Sequence, residues 1–472
     1  MKESIVVRLK YRQENYLNDV QDIPRAFSPY LLIDDNAEHF LGWDFSYCDG
    51  IFTLIIESDI WGKVEKNLQV NQNDIFEYKK QTKHFIKNAL YDFLSEELQI
   101  KLPYGSLTGV RPTKIYYELG EKIEYKEKYL VENYRLSKEK ADLIAHCVKN
   151  QKNYKNDDPS RVGFFLNIPF CPTKCKYCSF ISTEVFRVKN KLNEYVDCVK
   201  KETDGALEIM NQKGYSVRSV YVGGGTPTSV GAPLLKEMLL PLKAFNVEFT
   251  VEAGRPDTIN DEIVSCLSEC GVTRVSVNPQ TLHDDTLVNI GRGHTVKDFF
   301  NAYELMKKAG FSINVDLICG LPGEDVSFFK ESLDGCLALC PDNLTVHTLS
   351  LKRGSVFTLE GFQKNEFGQV KEMVDYAHKT LFSNGYAPYY MYRQKNMADN
   401  LENTGYCLPG KQCLYNIDMM EESATILGVG AGAMSKMIEG NKIERFSSPK
   451  GFREYIERID KTIFDKKTFF NL

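Results

Sequence analysis

Residues 165–180 read Phe-Leu-Asn-Ile-Pro-Phe-Cys-Pro-Thr-Lys-Cys-Lys-Tyr-Cys-Ser-Phe, and they place Cys171, Cys175 and Cys178 directly after an apolar run. Iron-sulfur clusters are bound by cysteine thiolates, and a set of three leaves one iron of a 4Fe-4S cluster open to a ligand that is not protein. The C-x3-C-x2-C spacing therefore predicts one 4Fe-4S cluster per chain.

Structural zinc is the main alternative for such a triplet. Zinc in a structural site takes four protein ligands, usually as two closely spaced pairs. Outside the triplet, the pair that comes nearest to this is Cys407 and Cys413, and its spacing is too wide. Two further pairs have the i, i+4 spacing that places both residues on one face of a helix; they are Cys266 with Cys270 and Cys336 with Cys340. We interpret these four cysteines as core packing. The comparison favours a cluster.

The composition is that of a globular protein of two or three domains. The chain has 472 residues, of which 43% are hydrophobic and 26% charged, and its net charge is −5. This charge does not favour a nucleic-acid partner. No apolar run reaches the 18 residues of a membrane span and the first residues lack a signal-peptide core, so we expect a cytoplasmic protein.

Three regions are predicted along the chain. Residues 1–157 form an N-terminal α+β domain of unknown role, with strands near 4–10 and 50–57 and a helix at 74–97. Residues 158–369 alternate short strands with helix-length segments, which is typical of parallel βαβ units. Residues 370–472 are expected to be mostly helical and to cover the substrate. Six strands are predicted in the middle region, at 162–168, 217–222, 247–251, 273–277, 313–318 and 344–349.

Glycines and polar residues follow the ends of these strands, which favours a partial (β/α)6 barrel with a ligand site at its carboxyl end. Gly223–Gly225 allow close backbone approach. Carboxylates, an amide and a guanidinium could hold a ligand's polar groups; they are Glu252, Gln280, Arg292 and Asp316. Two basic pairs could bind an anionic substrate; they are Lys352 with Arg353 and Arg393 with Lys395. Of the two candidate histidines, His294 and His347, the second lies in a predicted strand.

Several motifs together resemble the radical SAM superfamily, in particular its oxygen-independent coproporphyrinogen III oxidase family (coproporphyrinogen dehydrogenase). The motifs in the barrel region are Ile168–Cys171, Gly223–Thr228, Val251–Ala253, Asp316–Pro322 and Gly428–Ala433. Two more, Leu107–Lys114 and Tyr389–Asn396, resemble the HemZ type within that family.

The resemblance implies that Cys171, Cys175 and Cys178 bind the cluster and that S-adenosylmethionine chelates its open iron. One S-adenosylmethionine is expected to contact Phe165, Gly224, Glu252 and Met434. A possible second molecule is expected to contact Tyr177, Ser179, Gly225, Thr226, Gln280, Arg292 and Asp316. In this family a 5'-deoxyadenosyl radical abstracts a hydrogen from the β-carbon of a propionate, and loss of carbon dioxide and one electron leaves a vinyl group.

The function implied is the anaerobic conversion of coproporphyrinogen III to protoporphyrinogen IX in haem biosynthesis, by a monomer that receives electrons from a donor such as flavodoxin or ferredoxin. The related haem chaperones are an alternative, since Phe180 stands where the best-characterised oxidases have a further cysteine and Phe165 where they have an aromatic hydroxyl. Against the chaperones, their His-Asn motif appears here as Cys413–Asn416. A radical SAM methyltransferase acting on another substrate shares the fold and is a third alternative.

Overall fold

The computed structural model describes residues 4–11, 16–121, 123–180, 182–352, 354–360, 368–394, 397–440 and 442–472. Two of the predicted basic residues, Arg353 and Lys395, lie outside the described residues. The chain divides into two units, one of Met1–Ala145 with Asp399–Leu401 and one of His146–Ala398 with Glu402–Leu472. Among the described residues no helix is both long and apolar enough to cross a bilayer.

The first unit is built on a five-stranded sheet in the order β2-β1-β3-β4-β5. Its strands are β1 (Ile5–Tyr11), β2 (Leu31–Ile33), β3 (His39–Cys48), β4 (Ile51–Ser58) and β5 (Gly62–Gln69). Asp49 and Gly50 both have positive φ values, 49° and 83°, and connect β3 to β4 as a two-residue hairpin turn. Side chains alternate along β4, so that Phe52, Leu54 and Ile56 are buried.

Helix α3 (Ile75–Leu98) covers much of this unit's core. Asp74 caps its N-terminus by accepting hydrogen bonds from the backbone N–H groups of Phe76 and Glu77. The helices that begin in this unit are α1 (Leu17–Val20), α2 (Asp22–Ala26), α3 (Ile75–Leu98), α4 (Pro112–Glu118), α5 (Lys126–Tyr134) and α6 (Lys138–Gln151), the last of which continues past Ala145. The two strands and the helix predicted for this region are confirmed.

The second unit contains an eleven-stranded sheet in the order β14-β15-β13-β12-β11-β10-β9-β6-β16-β17-β18, and β7 pairs with β8 separately. The strands are β6 (Arg161–Ile168), β7 (Phe170–Cys171), β8 (Thr183–Glu184), β9 (Ser216–Gly224), β10 (Glu248–Glu252), β11 (Arg274–Ser276), β12 (Ser312–Cys319), β13 (Asn343–Thr348), β14 (Ala387–Tyr392), β15 (Asn403–Cys407), β16 (Ile426–Val429), β17 (Met434–Glu439) and β18 (Lys442–Ser447). The six strands predicted for the partial barrel are β6 and β9–β13, which are parallel neighbours in chain order. This confirms the α/β fold class.

The helices of the second unit include those that connect its parallel strands, as such crossovers require. They are α7 (Leu192–Lys213), α8 (Ala232–Leu239), α9 (Asp261–Glu269), α10 (Asp284–Asn289), α11 (Val296–Lys308), α12 (Val326–Leu337), α13 (Val356–Leu359), α14 (Gln369–Ser383), α15 (Leu414–Glu421), α16 (Phe452–Glu457) and α17 (Ile459–Phe469). Short 3-10 helices occupy Lys152–Tyr154, Val185–Lys191, Pro227–Val230, Leu240–Phe245, Pro256–Thr258 and Ala398–Asn400. Region 370–472 contributes the strands β14–β18 in addition to its helices.

These added strands extend the sheet at both of its edges. β16 is parallel to β6 and pairs Gly428 with Phe165, whereas β15 is antiparallel to β13. Both edges of the six-strand set are therefore paired. One prediction about packing was wrong: Cys336 and Cys340 do not share a helix face, because α12 ends at Leu337 and Cys340 is exposed with a φ of 51°.

Candidate functional site

A cavity of about 400 Å³ lies in the second unit at the carboxyl ends of β9–β13. Most of the residues predicted for the site line it. They are Cys171, Cys175, Tyr177, Cys178, Ser179, Gly224, Gly225, Thr226, Glu252, Gln280, Arg292, Asp316 and Lys352. The strand ends thus bring together side chains that are up to 181 positions apart in the sequence.

The cysteine loop is held by backbone hydrogen bonds. The N–H of Cys178 donates to the carbonyl of Cys175 at 3.1 Å, and the N–H of Lys176 donates to the carbonyl of Ile290 at 2.9 Å. Thr226 Oγ1 donates to Cys171 Sγ at 3.6 Å. Burial, reinforced by the charge of the neighbouring thiols, raises the pKa of Cys178 to about 11. Three thiols of one loop therefore face the same cavity and affect one another's charge.

This donor set fits a cluster better than a single ion. Within the described part of the chain, no group of three or more His, Cys, Asp or Glu side chains converges closely enough to hold one metal ion. A 4Fe-4S cluster has no such requirement, because its thiolates bind different irons. Cys171, Cys175 and Cys178 could each supply one thiolate.

The glycine segment at the end of β9 leaves no room for side chains. Gly224 has a φ of 111°, and a Cβ atom there would lie 2.2 Å from Asn167 Oδ1. A Cβ atom on Gly225 would lie 2.4 Å from the carbonyl oxygen of Phe170. The backbone at the start of the cysteine loop and the backbone after β9 therefore approach each other in a way that only glycine permits.

Glu252, the last residue of β10, forms a short polar pair with Tyr221. The Tyr221 hydroxyl donates to Glu252 Oε1 at 2.6 Å. Burial raises the pKa of Glu252 to about 7, against the lowering effect of this hydrogen bond, and the charge of Asp316 adds to the increase. Glu252 can therefore gain or lose a proton near neutral pH.

Asp316, in the middle of β12, remains ionised. It lies 3.6 Å from His347 Nε2 and accepts hydrogen bonds from Asn278 Nδ2 at 2.8 Å and Asn314 Nδ2 at 2.7 Å. Burial alone would raise its pKa, but the hydrogen bond and charge of His347 hold the pKa of Asp316 below its ordinary value. Two carboxylates of unlike proton affinity thus line one cavity.

A third part of the cavity carries buried polar atoms that have no hydrogen-bond partner within the described residues. They are Gln280 Oε1, Asn278 Oδ1 and Arg292 Nε. Gln280 also has a φ of 71°, uncommon for a residue with a side chain, and its backbone bridges to β12. Buried polar atoms without a partner are costly, so these three are suited to contact a bound polar ligand.

Comparisons with known proteins show the family to which the chain belongs. A profile of the radical SAM superfamily matches residues 168–334. The oxygen-independent coproporphyrinogen-III oxidase-like protein HemZ of Bacillus subtilis (strain 168) is 39% identical over 400 residues, which is 81% of this chain and 79% of that protein. This chain belongs to the radical SAM superfamily and to the family of HemZ.

Other relatives of this radical SAM protein carry a different name. The heme chaperone HemW of Lactococcus lactis subsp. lactis (strain IL1403) is 30% identical over 285 residues, covering 57% of this chain and 68% of that protein. The solved coproporphyrinogen III oxidase HemN of Escherichia coli has a TM-score of 0.52 and 20% identity, covering 69% of this chain and 73% of that one, and it supports the fold. Membership of the superfamily implies a 4Fe-4S cluster and S-adenosylmethionine.

Four predicted residues of this radical SAM protein are not among the residues that line the cavity, and one of them is His294, which is buried. Phe165 stacks on Tyr415 with ring centroids 5.7 Å apart, and both rings lie beside Tyr221. Met434 is 45% exposed at the start of β17, and Arg393 is buried outside the lining. Lys352 is therefore the one member of the predicted basic pairs that the described residues place at the cavity.

Sequence reasoning missed several residues that the cavity of this radical SAM protein contains. They include Arg255, Arg274, Tyr389, Tyr390, Tyr392 and Cys413. Arg255 follows Glu252 by three positions, so its place after the end of β10 was a signal that could have identified it. The tyrosines come from β14, whose position at the sheet edge depends on pairing with β15 and could not be inferred from local pattern.

Proposed function

We propose that this protein is an oxygen-independent coproporphyrinogen dehydrogenase, which oxidatively decarboxylates two propionates of coproporphyrinogen III to give protoporphyrinogen IX. The observation that carries the proposal is the single cavity that joins the three thiols to Glu252, Asp316 and Lys352. A cofactor that carries an amino acid and a ribose, and a polyanionic substrate, could occupy one enclosure there. The similarity to HemZ over most of both chains supports the same function.

When bound, the cluster and S-adenosylmethionine supply a carbon radical able to remove a hydrogen atom from a propionate. The chain's own residues hold and orient these groups. Cys171, Cys175 and Cys178 would bind the cluster. Glu252 and Asp316 could accept hydrogen bonds from amino or hydroxyl groups, and the unpartnered atoms of Gln280 and Arg292 suit a second S-adenosylmethionine.

Another set of lining residues has the chemistry of a tetrapyrrole site. The rings of Tyr389 and Tyr390, with centroids 4.9 Å apart, and the ring of Tyr392 offer flat apolar surface with polar ends. Lys352 offers a cation to a propionate. After hydrogen abstraction, the substrate radical would lose carbon dioxide and pass one electron to an external one-electron acceptor. We propose that a small electron carrier such as flavodoxin or ferredoxin supplies the separate electron that starts each turnover.

The test is an anaerobic assay of the reconstituted full chain. Protein with iron and sulfide restored receives reductant, S-adenosylmethionine and coproporphyrinogen III, and mass spectrometry follows 5'-deoxyadenosine and porphyrin products. We expect mono- and di-vinyl products. Cleavage of S-adenosylmethionine with the porphyrinogen left intact would contradict the proposed substrate.

Haem binding and transfer is the second candidate function. Its supporting observation is Phe180, which lines the cavity with 68% of its surface exposed and so offers an apolar ring to a flat macrocycle. Against it, His347 is the histidine among the lining residues, and it is paired with Asp316 rather than free to bind haem iron. Titration with haem distinguishes the two candidates, because a chaperone would bind haem at stoichiometric amounts without S-adenosylmethionine cleavage.

A further inference from the structure

One buried cation, Arg255, lies against the cysteine loop. Its Nη1 atom is 3.9 Å from Cys175 Sγ, 3.1 Å from Thr173 Oγ1 and 3.3 Å from the Thr173 carbonyl oxygen. Arg255 is 2% exposed and Cys175 is 8% exposed. Water therefore does little to screen the guanidinium from the sulfur.

The other edge of the same guanidinium is fixed by a carboxylate. Arg255 Nε donates to Asp257 Oδ1 at 2.9 Å and Nη2 donates to Asp257 Oδ2 at 2.8 Å. This two-point contact sets the plane and direction of the guanidinium. The cation thus faces Cys175, and its counter-charge is on the side away from the sulfur.

An electron that enters a cluster adds negative charge, part of which spreads onto the thiolate sulfurs. Hydrogen bonds and positive charge at those sulfurs stabilise the reduced cluster and make its reduction potential less negative. The carboxylate of Asp257 acts in the opposite sense, because it partly cancels the field of the guanidinium.

We propose that Arg255 is a positioning residue that makes the cluster easier to reduce by directing a buried positive charge at Cys175, and that Asp257 moderates this effect. The inference rests on the cluster site of the proposed function and is independent of which substrate is used. The same contacts also anchor the loop through Thr173, so the test must separate charge from scaffolding.

The experiment compares full-length Arg255→Gln and Asp257→Asn with the unaltered protein. After anaerobic reconstitution, a redox titration followed by electron paramagnetic resonance gives the midpoint potential of each cluster. For Arg255→Gln we expect a more negative midpoint potential. At the potential where the cluster of the unaltered protein is half reduced, the ratio of reduced to oxidised cluster in the variant should be at least tenfold lower. Tenfold corresponds to about 59 mV for one electron.

For Asp257→Asn we expect a shift in the opposite direction, since the variant removes the opposing charge and keeps an oxygen acceptor for the guanidinium. A loss of scaffolding alone would not move the two variants in opposite directions. Arg445→Gln, on the exposed strand β18, is the matched control and should leave the midpoint unchanged.

Unchanged midpoints in both variants, or shifts of the same sign, would overturn the inference. If Arg255→Gln does not take up iron, Asp257→Asn still tests the inference: a less negative midpoint potential supports it, and an unchanged or more negative one overturns it. Failure of the unaltered protein to take up a cluster is a different result, since it would reject the cluster site of the proposed function before the role of Arg255 is reached.

Discussion

Replacing Glu252 with Gln should change how the stability of the protein depends on pH. Gln keeps an oxygen that can accept the hydrogen bond from Tyr221 and has no charge to lose. In the folded protein, burial raises the pKa of Glu252 from 4.5 to about 7. When the pKa of a group is higher in the folded protein than in the unfolded chain, the group stabilises the folded state at a pH below its unfolded pKa. That stabilisation is lost as the pH rises through the folded pKa.

The size of the effect follows from the shift. One pKa unit is worth about 1.4 kcal/mol, so an increase from 4.5 to about 7 corresponds to about 3 kcal/mol. Glu252 is partly open to the cavity, so water screens some of this, and we expect about 2 kcal/mol. Relative to Glu252→Gln, the unaltered protein should therefore lose about 2 kcal/mol of unfolding free energy between about pH 5 and pH 8.

The assay is urea denaturation of both proteins, without cluster, across that pH range. Both tryptophans, Trp43 and Trp61, belong to the first unit, so far-ultraviolet circular dichroism is needed to follow the second. Other titrating groups are shared by the two proteins and cancel in the difference. A difference in unfolding free energy that stays constant within the error from about pH 5 to pH 8 would refute the assignment of a raised pKa to Glu252.

The remaining predictions concern other parts of the second unit. Cys175→Ala should lose the iron and the brown absorbance of the reconstituted protein, whereas Cys266→Ala, buried in α9 far from the triplet in sequence, should retain both in an iron assay. Lys352→Ala should weaken porphyrinogen binding by about 1 kcal/mol, roughly fivefold, with cluster content unchanged, and Lys379→Ala on the exposed face of α14 should have no effect in the same titration. Lys466→Met should cost about 3–5 kcal/mol in urea denaturation, because it leaves a fully buried carboxylate without its cation; a cost below about 1 kcal/mol would contradict this.

The sequence predicted the parallel part of the fold well because each strand there is a short buried run followed by turn residues. The ends of β6 and β9–β13 agree with the predicted strands within one or two residues, and the residues after those ends do meet at one cavity. Periodicity is a local property, so it locates such strands without knowledge of their partners.

Contacts between distant segments could not be predicted in this way. Phe165 stacks on Tyr415 of α15, and only the folded chain reveals that contact. The position of Arg255 after a strand end could be inferred from the sequence, but its contacts with Thr173 and Cys175 could not, because they depend on where the cysteine loop lies. Met434 begins an edge hairpin whose existence depends on β16 pairing with β6.

The pairing of β6 with β16 also has a consequence for biosynthesis. β6 is the first strand of the large sheet to be made, yet the neighbour on its outer side is β16, whose residues Ile426–Val429 are made more than 250 positions later. While the chain is growing, β6 therefore presents an unpaired edge beside the cysteine loop, which is the type of edge that promotes aggregation. The glycine turn after β16, whose Ala431 carbonyl accepts a hydrogen bond from Asn167 of β6, is likewise absent until then. These contacts to β6 therefore form only after residues 426–431 have been made.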